Sequence, residues 1–238
     1  MNRPRLLDLF AGEGGAAYGY MQAGFDVTAV DDQDRPGRAP GITWVTGDAT
    51  TYPLAGFDVV TGSPPCTDHS TLRTVAEVKR KGGRGAGTEW MLAHTLRRFR
   101  EHAAATGALW VVENVEGAKA TIGDSLKLCG SMFGLTDEHW LLRRHRYFAS
   151  NAFLMAPGPC RCFGRDVMGV YGELVQKDRR CAGTRLNRPN GDIRAGVDRA
   201  RRLMGMPWAS ATGLPLAIPP AYTEFLGEQL LAHLAVTA

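Results

Sequence analysis

Thr61-Gly62-Ser63-Pro64-Pro65-Cys66 is the stretch of this chain best suited to chemistry. Two consecutive prolines fix φ and remove two backbone donors, so Cys66 is presented on a stiff turn instead of joining a helix or a strand ladder. The run before it, Phe57-Asp58-Val59-Val60, is apolar and β-branched and predicts a buried strand. The thiol therefore falls just past a strand's carboxyl end, where open α/β sheets keep their ligands. A second group occupies an equivalent place: Leu109-Trp110-Val111-Val112 predicts another buried strand and ends in Glu113-Asn114-Val115. If the two strands are neighbours, Glu113 faces the same crevice as Cys66, and partial desolvation there raises a carboxyl pKa until it can carry a proton at neutral pH. Taken singly, a cysteine is more often inert and a glutamate more often an exposed helix start.

The elements that must position these groups are those of an α/β sheet. Leu6-Leu7-Asp8-Leu9-Phe10 predicts a buried strand, and the turn Ala11-Gly12-Glu13-Gly14-Gly15 leads into a helix over 16–23 closed by Gly24. Strand, glycine turn and helix form a nucleotide-type opening, although the spacing is not the dinucleotide fingerprint. Strands over 25–30 and 42–45 follow, ending at Asp31 and at Gly47-Asp48, two carboxylates on one sheet edge. Such an edge suits a neutral adenosine with free hydroxyls and an exocyclic amine better than a phosphate. The segment 67–88 has no apolar period and carries Arg73, Lys79, Arg80, Lys81 and Arg84 among glycines, as expected of a basic lid that closes on a phosphate backbone. A helix over 89–105 follows, with Trp90, Leu92, Leu96 and Phe99 as its expected buried face.

Composition narrows the class. Hydrophobic residues make up 44% and charged residues 22% of the 238, as in a folded domain, and no apolar run approaches the roughly 18 residues of a membrane span. An odd count of five cysteines fits a reducing, cytoplasmic compartment better than a disulfide framework. The net charge of +4 is unevenly placed: between Ser150 and Gly205 there are eleven Lys or Arg against five Asp or Glu. A basic segment on a slightly acidic body suggests a polyanionic partner.

Several of these motifs carry a family resemblance. Asp8-Leu9-Phe10-Ala11-Gly12 with Gly14-Gly15, Pro64-Pro65-Cys66, Glu113-Asn114-Val115, Leu128-Cys129-Gly130-Ser131-Met132-Phe133-Gly134-Leu135 and Arg144-His145-Arg146 occur in this order. The chain thereby resembles the cytosine carbon-5 DNA methyltransferases. Its closing Ala217-Ile218-Pro219-Pro220-Ala221-Tyr222-Thr223-Glu224-Phe225 is similar to the small bacteriophage and prophage versions. The resemblance implies an α/β, Rossmann-like S-adenosylmethionine-dependent methyltransferase fold with a small basic target-recognition region. It divides the chain into a catalytic domain over 1–149, a recognition region over 150–198, and a segment over 199–238 whose last helix, from Tyr222 to Leu234, returns to the catalytic core.

What the resemblance implies for the site is specific. A cytosine flipped out of double-stranded DNA receives Cys66 at carbon 6, while Glu113 holds the exocyclic amine and ring nitrogen N3. Asn114 braces the loop carrying Cys66, and Arg144 and Arg146, alternating on a short strand, point the same way to grip the base carbonyl and a phosphate or the thiolate side of the pocket. For the cofactor, Phe10 packs on the adenine, Gly12, Gly14 and Gly15 admit the methionine end, Asp31 holds the ribose, Asp48 accepts from the adenine amine, and Pro65 lines the site. Arg179, Arg180, Arg185 and Arg188 join the lid residues as phosphate contacts. The recognition region is short for the family, which implies low sequence specificity and suits bulk DNA modification that evades restriction, by a monomeric enzyme. The family's usual glutamine before the arginine motif is Leu142 here, and Glu13 is an extra charge in the cofactor turn.

No metal is expected: Cys160-x-Cys162 with the distant Cys181 falls short of four ligands, and His145 is absorbed by the arginine motif. An RNA cytosine is the alternative substrate on the same scaffold, and a catalytically silent DNA-binding homologue is the alternative class.

Overall fold

The computed structural model describes residues 3–35, 37–65, 89–172, 174, 179–180 and 193–237. Cys66, Arg73, Lys79, Arg80, Lys81, Arg84, Cys181, Arg185 and Arg188 lie outside the described residues, and so do the side chains of Arg179 and Arg180.

The chain begins with β1 (Arg5–Leu9), α1 (Gly15–Ala23), β2 (Asp26–Asp31), β3 (Thr43–Thr46) and β4 (Val59–Gly62). It continues with α2 (Glu89–Thr106), β5 (Leu109–Asn114), β6 (Leu126–Leu128), β7 (Thr136–Asp137), β8 (Trp140–Leu142) and β9 (Arg146–Ser150). After β10 (Val167–Gly169), β11 (Arg179–Arg180) and β12 (Ile193–Arg194) come two helices, α3 (Val197–Met204) and α4 (Pro220–Thr237).

Seven strands form the main sheet in the order β3-β2-β1-β4-β5-β9-β6. The first five are parallel, and β9 runs antiparallel to both of its neighbours. From β1 the chain steps outward to β2 and β3, then crosses to β4 on the other side. The turn after β1 and the turn after β4 therefore flank the point where the winding reverses, which is where such sheets bind ligands.

Strand periodicity divides the core into two layers. Leu6, Val59 and Val111 face one side and pack with Tyr20 of α1, with Phe25 in the turn before β2, and with Tyr222, Leu226 and Leu230 of α4. Leu7, Leu9, Val60 and Val112 face the other side and pack with Leu92, Leu96 and Phe99 of α2. Such an alternation is what a sheet covered on both faces requires. Trp90 is the exception to the expected helix face: it is 50% exposed. Two residues turn a helix by about 200°, so a residue two before Leu92 lies across the helix from the Leu92, Leu96 and Phe99 stripe.

α1 and α4 approach each other closely because glycine allows it. A β-carbon at Gly19 would lie 2.1 Å from the Pro220 carbonyl oxygen and 2.2 Å from Thr223 Oγ1. Thr223 completes the contact by donating to the Ala16 carbonyl at 2.9 Å.

The second sheet has the order β11-β12-β10-β8-β7 and packs on α3 through Leu142, Met168, Val170, Ala195, Leu203 and Met204. Residues 136–142, grouped with the catalytic domain in the sequence reading, contribute two of its strands, while β9 returns to the main sheet. Arg199 and Arg202 of α3 both pair with Asp137 of β7, at 2.8 and 2.9 Å, which fastens the helix to this sheet's edge.

Candidate active site

The turn after β1 is held in an uncommon backbone conformation. Phe10 has φ +59°, Gly12 +58° and Gly14 +82°. A left-handed phenylalanine costs on the order of 1 kcal/mol or more and persists only where surrounding contacts enforce it, a condition typical of ligand sites. The enforcing contacts are present: Ala11 N–H donates to the Val30 carbonyl at 3.0 Å, and Gly12 N–H donates to Asp31 Oδ2 at 2.8 Å. The glycines differ in what they do. A β-carbon on Gly12 would meet no atom within 4 Å, so this position faces open space. One on Gly14 would lie 2.8 Å from the Trp44 ring, and one on Gly15 2.2 Å from the Ile218 carbonyl oxygen, so these two serve close packing.

Asp31 stands at the carboxyl end of β2 and is buried. Besides the Gly12 amide, its carboxylate accepts from the Gln33 amide at 3.2 Å and pairs with Arg35 Nε at 3.0 Å. Three of its roughly four acceptor directions are thus used within the chain. Asp48 sits in the turn after β3, where Oδ1 accepts from the Thr50 amide and hydroxyl at 2.8 and 2.7 Å, and Oδ2 from the Thr51 hydroxyl at 3.2 Å. The Thr50 bonds hold its carboxyl below the usual range.

Glu13 points away from the turn's open side and into the protein. Its carboxylate accepts from the Ser210 amide at 2.7 Å and from the Ser210 hydroxyl, and lies against Gly37 and Gly213. Its carbonyl accepts from Trp208 Nε1 at 3.0 Å and from the Ala39 amide at 3.1 Å. The charge that looks superfluous in the cofactor turn is a fastener that ties the turn to the segment before α4.

Across the reversal point lies the end of β4. The Ser63 amide donates to the Leu9 carbonyl at 3.2 Å, and Asn114 Nδ2 donates to the Pro64 carbonyl at 3.1 Å while its Oδ1 accepts the Val115 amide at 2.9 Å. The two prolines leading to Cys66 are therefore held from the end of β5. Glu113, one residue earlier, is buried, and β4 and β5 are direct neighbours. Its carboxyl pKa is raised by desolvation, against the opposing pull of Arg146, Arg144 and a hydrogen bond with the Ser63 side chain. Arg146 supplies the near charge, with Nε 2.9 Å from Glu113 Oε1. Among the described residues a small cleft is lined by Asp8, Thr61, Ser63, Glu113, Phe148 and Thr223.

The two arginines do not share a direction. Residues 143–145 precede β9, so strand alternation does not apply to Arg144. Its buried guanidinium donates from Nε to the Ala217 carbonyl and from Nη2 to the Pro215 carbonyl, both at 2.8 Å, and from Nη1 to the Val170 carbonyl. It joins the second sheet to the segment before α4, whereas Arg146 faces Glu113. Leu142, in the place of a family glutamine, is fully buried in the second core. Tyr222 is buried as well and donates its hydroxyl to the Arg144 carbonyl at 2.7 Å.

Asp8, the first residue of the Asp8-Leu9-Phe10-Ala11-Gly12 motif, is a buried acid within β1. Its Oδ1 accepts from the Thr61 hydroxyl at 2.9 Å and its Oδ2 has no hydrogen-bond partner. Burial pushes the carboxyl up from 3.8 to about 7, with the Thr61 bond pulling the other way. Below 3.8 the group is neutral in both folded and unfolded chains and its stabilising share is fully present. From there to about 7 the unfolded chain ionises first and stability is lost. At about 1.4 kcal/mol per pH unit, the loss is on the order of 4 kcal/mol by pH 8. Asp8→Asn is expected to remove this fall, so urea unfolding at pH 4.5 and pH 8 should show a flatter pH dependence in the variant. Identical slopes in the two proteins would mean that Asp8 stays ionised in the fold.

No family model matches the chain. It is similar to two methyltransferases of Herpetosiphon aurantiacus, the Type II methyltransferases M.HgiDI (32% identity over 128 residues) and M.HgiGI (31% over 128 residues). Each match covers 48% of this chain. It spans 38% of M.HgiDI, well under half of that relative, and 93% of M.HgiGI. The fold is similar to that of the Entamoeba histolytica methyltransferase EhMeth, with TM-score 0.56 and 10% identity over 98% of this chain and 99% of that one. It is similar also to a Spodoptera frugiperda DNMT2 triple mutant, with TM-score 0.52 and 12% identity over 96% and 99% of the two chains. The sheet is thus a Rossmann-like methyltransferase sheet, and the near-complete alignment with M.HgiGI places this chain in the Type II methyltransferase family.

Proposed function

We propose that this protein methylates carbon 5 of cytosine in DNA, with S-adenosylmethionine as the methyl donor. The observation that carries the reading is Glu113: a desolvated carboxyl with a raised pKa at the end of β5, beside the turn that leads into Cys66. The relatives are Type II methyltransferases, which favours DNA as the substrate.

The turn after β1 fits the donor. Gly12 leaves its open side free, and the acidic residues along this edge, Asp31 and Asp48, suit hydroxyl and amine donors better than phosphates. A ribose hydroxyl would share Asp31 with the Gly12 amide and compete with Arg35 for Oδ1. When bound, S-adenosylmethionine supplies an electrophilic methyl on a sulfonium.

In the proposed reaction the Cys66 thiolate forms a bond to cytosine carbon 6, and the displaced electron pair makes carbon 5 nucleophilic. Glu113 delivers a proton to, or hydrogen-bonds, ring nitrogen N3, which spreads the developing charge. Carbon 5 would bond to the methyl as the sulfur–methyl bond breaks, leaving the donor as a neutral thioether. Loss of the carbon 5 proton to a base then restores the ring double bond and expels the thiolate. Arg146 keeps the Glu113 carboxyl oriented, and Asn114 keeps the Pro64 carbonyl, and with it the approach to Cys66, in register. The small second sheet, with strands of two or three residues, fits a reader of short or loose sequence contexts and so bulk modification that evades restriction.

The test is nucleoside mass spectrometry on unmethylated genomic DNA incubated with the protein and S-adenosylmethionine. A 5-methylcytosine signal that disappears with Cys66→Ala supports both the reaction and the nucleophile. No methylated cytosine from intact protein overturns the reading.

A further inference from the structure

Outside the proposed reaction site, four chemically active side chains converge. Cys129 follows β6, His145 immediately precedes Arg146, and Cys160 and Cys162 lie in the irregular stretch between β9 and β10. Their Sγ and ring-nitrogen atoms all lie within 4.8 Å of one another. Cys160 Sγ and Cys162 Sγ are 3.5 and 3.4 Å from His145 Nε2, and 3.2 Å from each other. None of the three cysteines is tied up in a disulfide.

We propose that Cys129, His145, Cys160 and Cys162 bind one zinc ion as a closed Cys3His structural site. The distances fit that ion. With Zn–S about 2.3 Å and Zn–N about 2.0–2.1 Å, the S–N edge of a tetrahedron is about 3.5 Å and the S–S edge about 3.8 Å. The two imidazole–thiol separations match the first value, the Cys160–Cys162 pair would open by about 0.6 Å to reach the second, and no pair of ligand atoms is wider than 4.8 Å. Three soft thiolates and an imidazole select zinc over the hard, oxygen-preferring cations, and four protein ligands leave no position for a substrate. Ser131 provides an outer support: its hydroxyl lies 3.4 Å from Cys129 Sγ and 3.6 Å from Cys160 Sγ, and its Oγ accepts from the Arg161 amide at 3.0 Å.

The fold supplies a reason for a metal at this place. Residues 152–156 pack on the main core and bond to α4, but from 157 to 166 the chain has no regular element, and the apolar cluster beneath that part holds only Cys129, Cys162 and Val167 as buried members. That is too little apolar surface to fix such a segment, and a coordinated ion supplies the missing constraint. The ligand His145 stands between Arg144, which clamps the second sheet, and Arg146, which pairs with Glu113. Fixing the imidazole therefore fixes the start of β9 and both arginines.

Metal analysis of the full-length protein, purified without chelators, should find about one zinc per chain. A thiol-blocking mercurial should release it. Cobalt exchange should give the thiolate-to-cobalt charge-transfer absorption and the intense ligand-field bands of a tetrahedral sulfur site. Cys160→Ser should lose the ion, while Cys66→Ala, which leaves all four ligands in place, retains it. If Cys160→Ser fails to fold, the cobalt spectrum of the unmodified protein decides alone. Less than about a tenth of an equivalent of zinc, together with no cobalt spectrum after reconstitution, overturns the site. So does a spectrum of octahedral or oxygen-ligated cobalt.

Discussion

Glu113→Gln is expected to slow methyl transfer by a factor of about 100 to 10,000, the usual worth of a positioned proton donor. Glutamine has nearly the shape of glutamate and can still hydrogen-bond a cytosine amine, so substrate affinity should change far less than turnover. What it cannot do is give up a proton to N3. The pH profile separates this role from a purely structural one. Because burial raises the Glu113 pKa, the acid form persists to higher pH than for an exposed glutamate, and turnover of the wild type should decline as pH rises through that raised value. The glutamine variant should lack this declining limb. Single-turnover rates across pH, with DNA binding measured in parallel, make the comparison. A variant with wild-type turnover would remove Glu113 from the chemistry. Lost turnover with an unchanged pH profile would assign it to positioning alone.

Arg144→Met is expected to destabilise the fold by about 3–5 kcal/mol, because it strips three carbonyl acceptors at once in a buried place. In a chain of this size that corresponds to a drop in melting temperature on the order of 10 °C. Lysine should rescue poorly. Its compact ammonium cannot spread three donors over the Val170, Pro215 and Ala217 carbonyls as a planar guanidinium does. Calorimetry, with limited proteolysis of the second sheet, would show the effect. If the melting temperature held while DNA binding or turnover collapsed, Arg144 would be a substrate contact, as the family resemblance implies, and not the clamp that its hydrogen bonds describe.

The main sheet was largely legible in the sequence because its signals are local. β-branched runs at 57–60 and 109–112 announce strands buried on both faces, and the glycine turn after Leu9-Phe10 announces the first strand-to-helix crossing. The end of β5 was legible for the same reason, since a charged and an amide residue directly after an apolar run must fall at the strand's edge. Trp90 was misplaced, as size and apolarity outweighed a helical phase that puts it opposite Leu92.

Other features depend on neighbours that sequence distance hides. Glu13 finds its partners in Ser210 and Trp208, brought to the glycine turn only when the chain closes back before α4. Arg144 and Arg146 look like one alternating pair, yet the strand begins at Arg146, so one guanidinium turns to the second sheet's carbonyls and the other to Glu113. Cys129 and His145 sit inside motifs that account for them separately, and Cys160 and Cys162 alone are two ligands short of a metal site. By itself the sequence determined which strands and turns exist and which residues stand at their ends, because propensity and periodicity act over a few residues. Tertiary structure alone decided which of those residues meet, because long-range pairing depends on strand order and on where each strand begins.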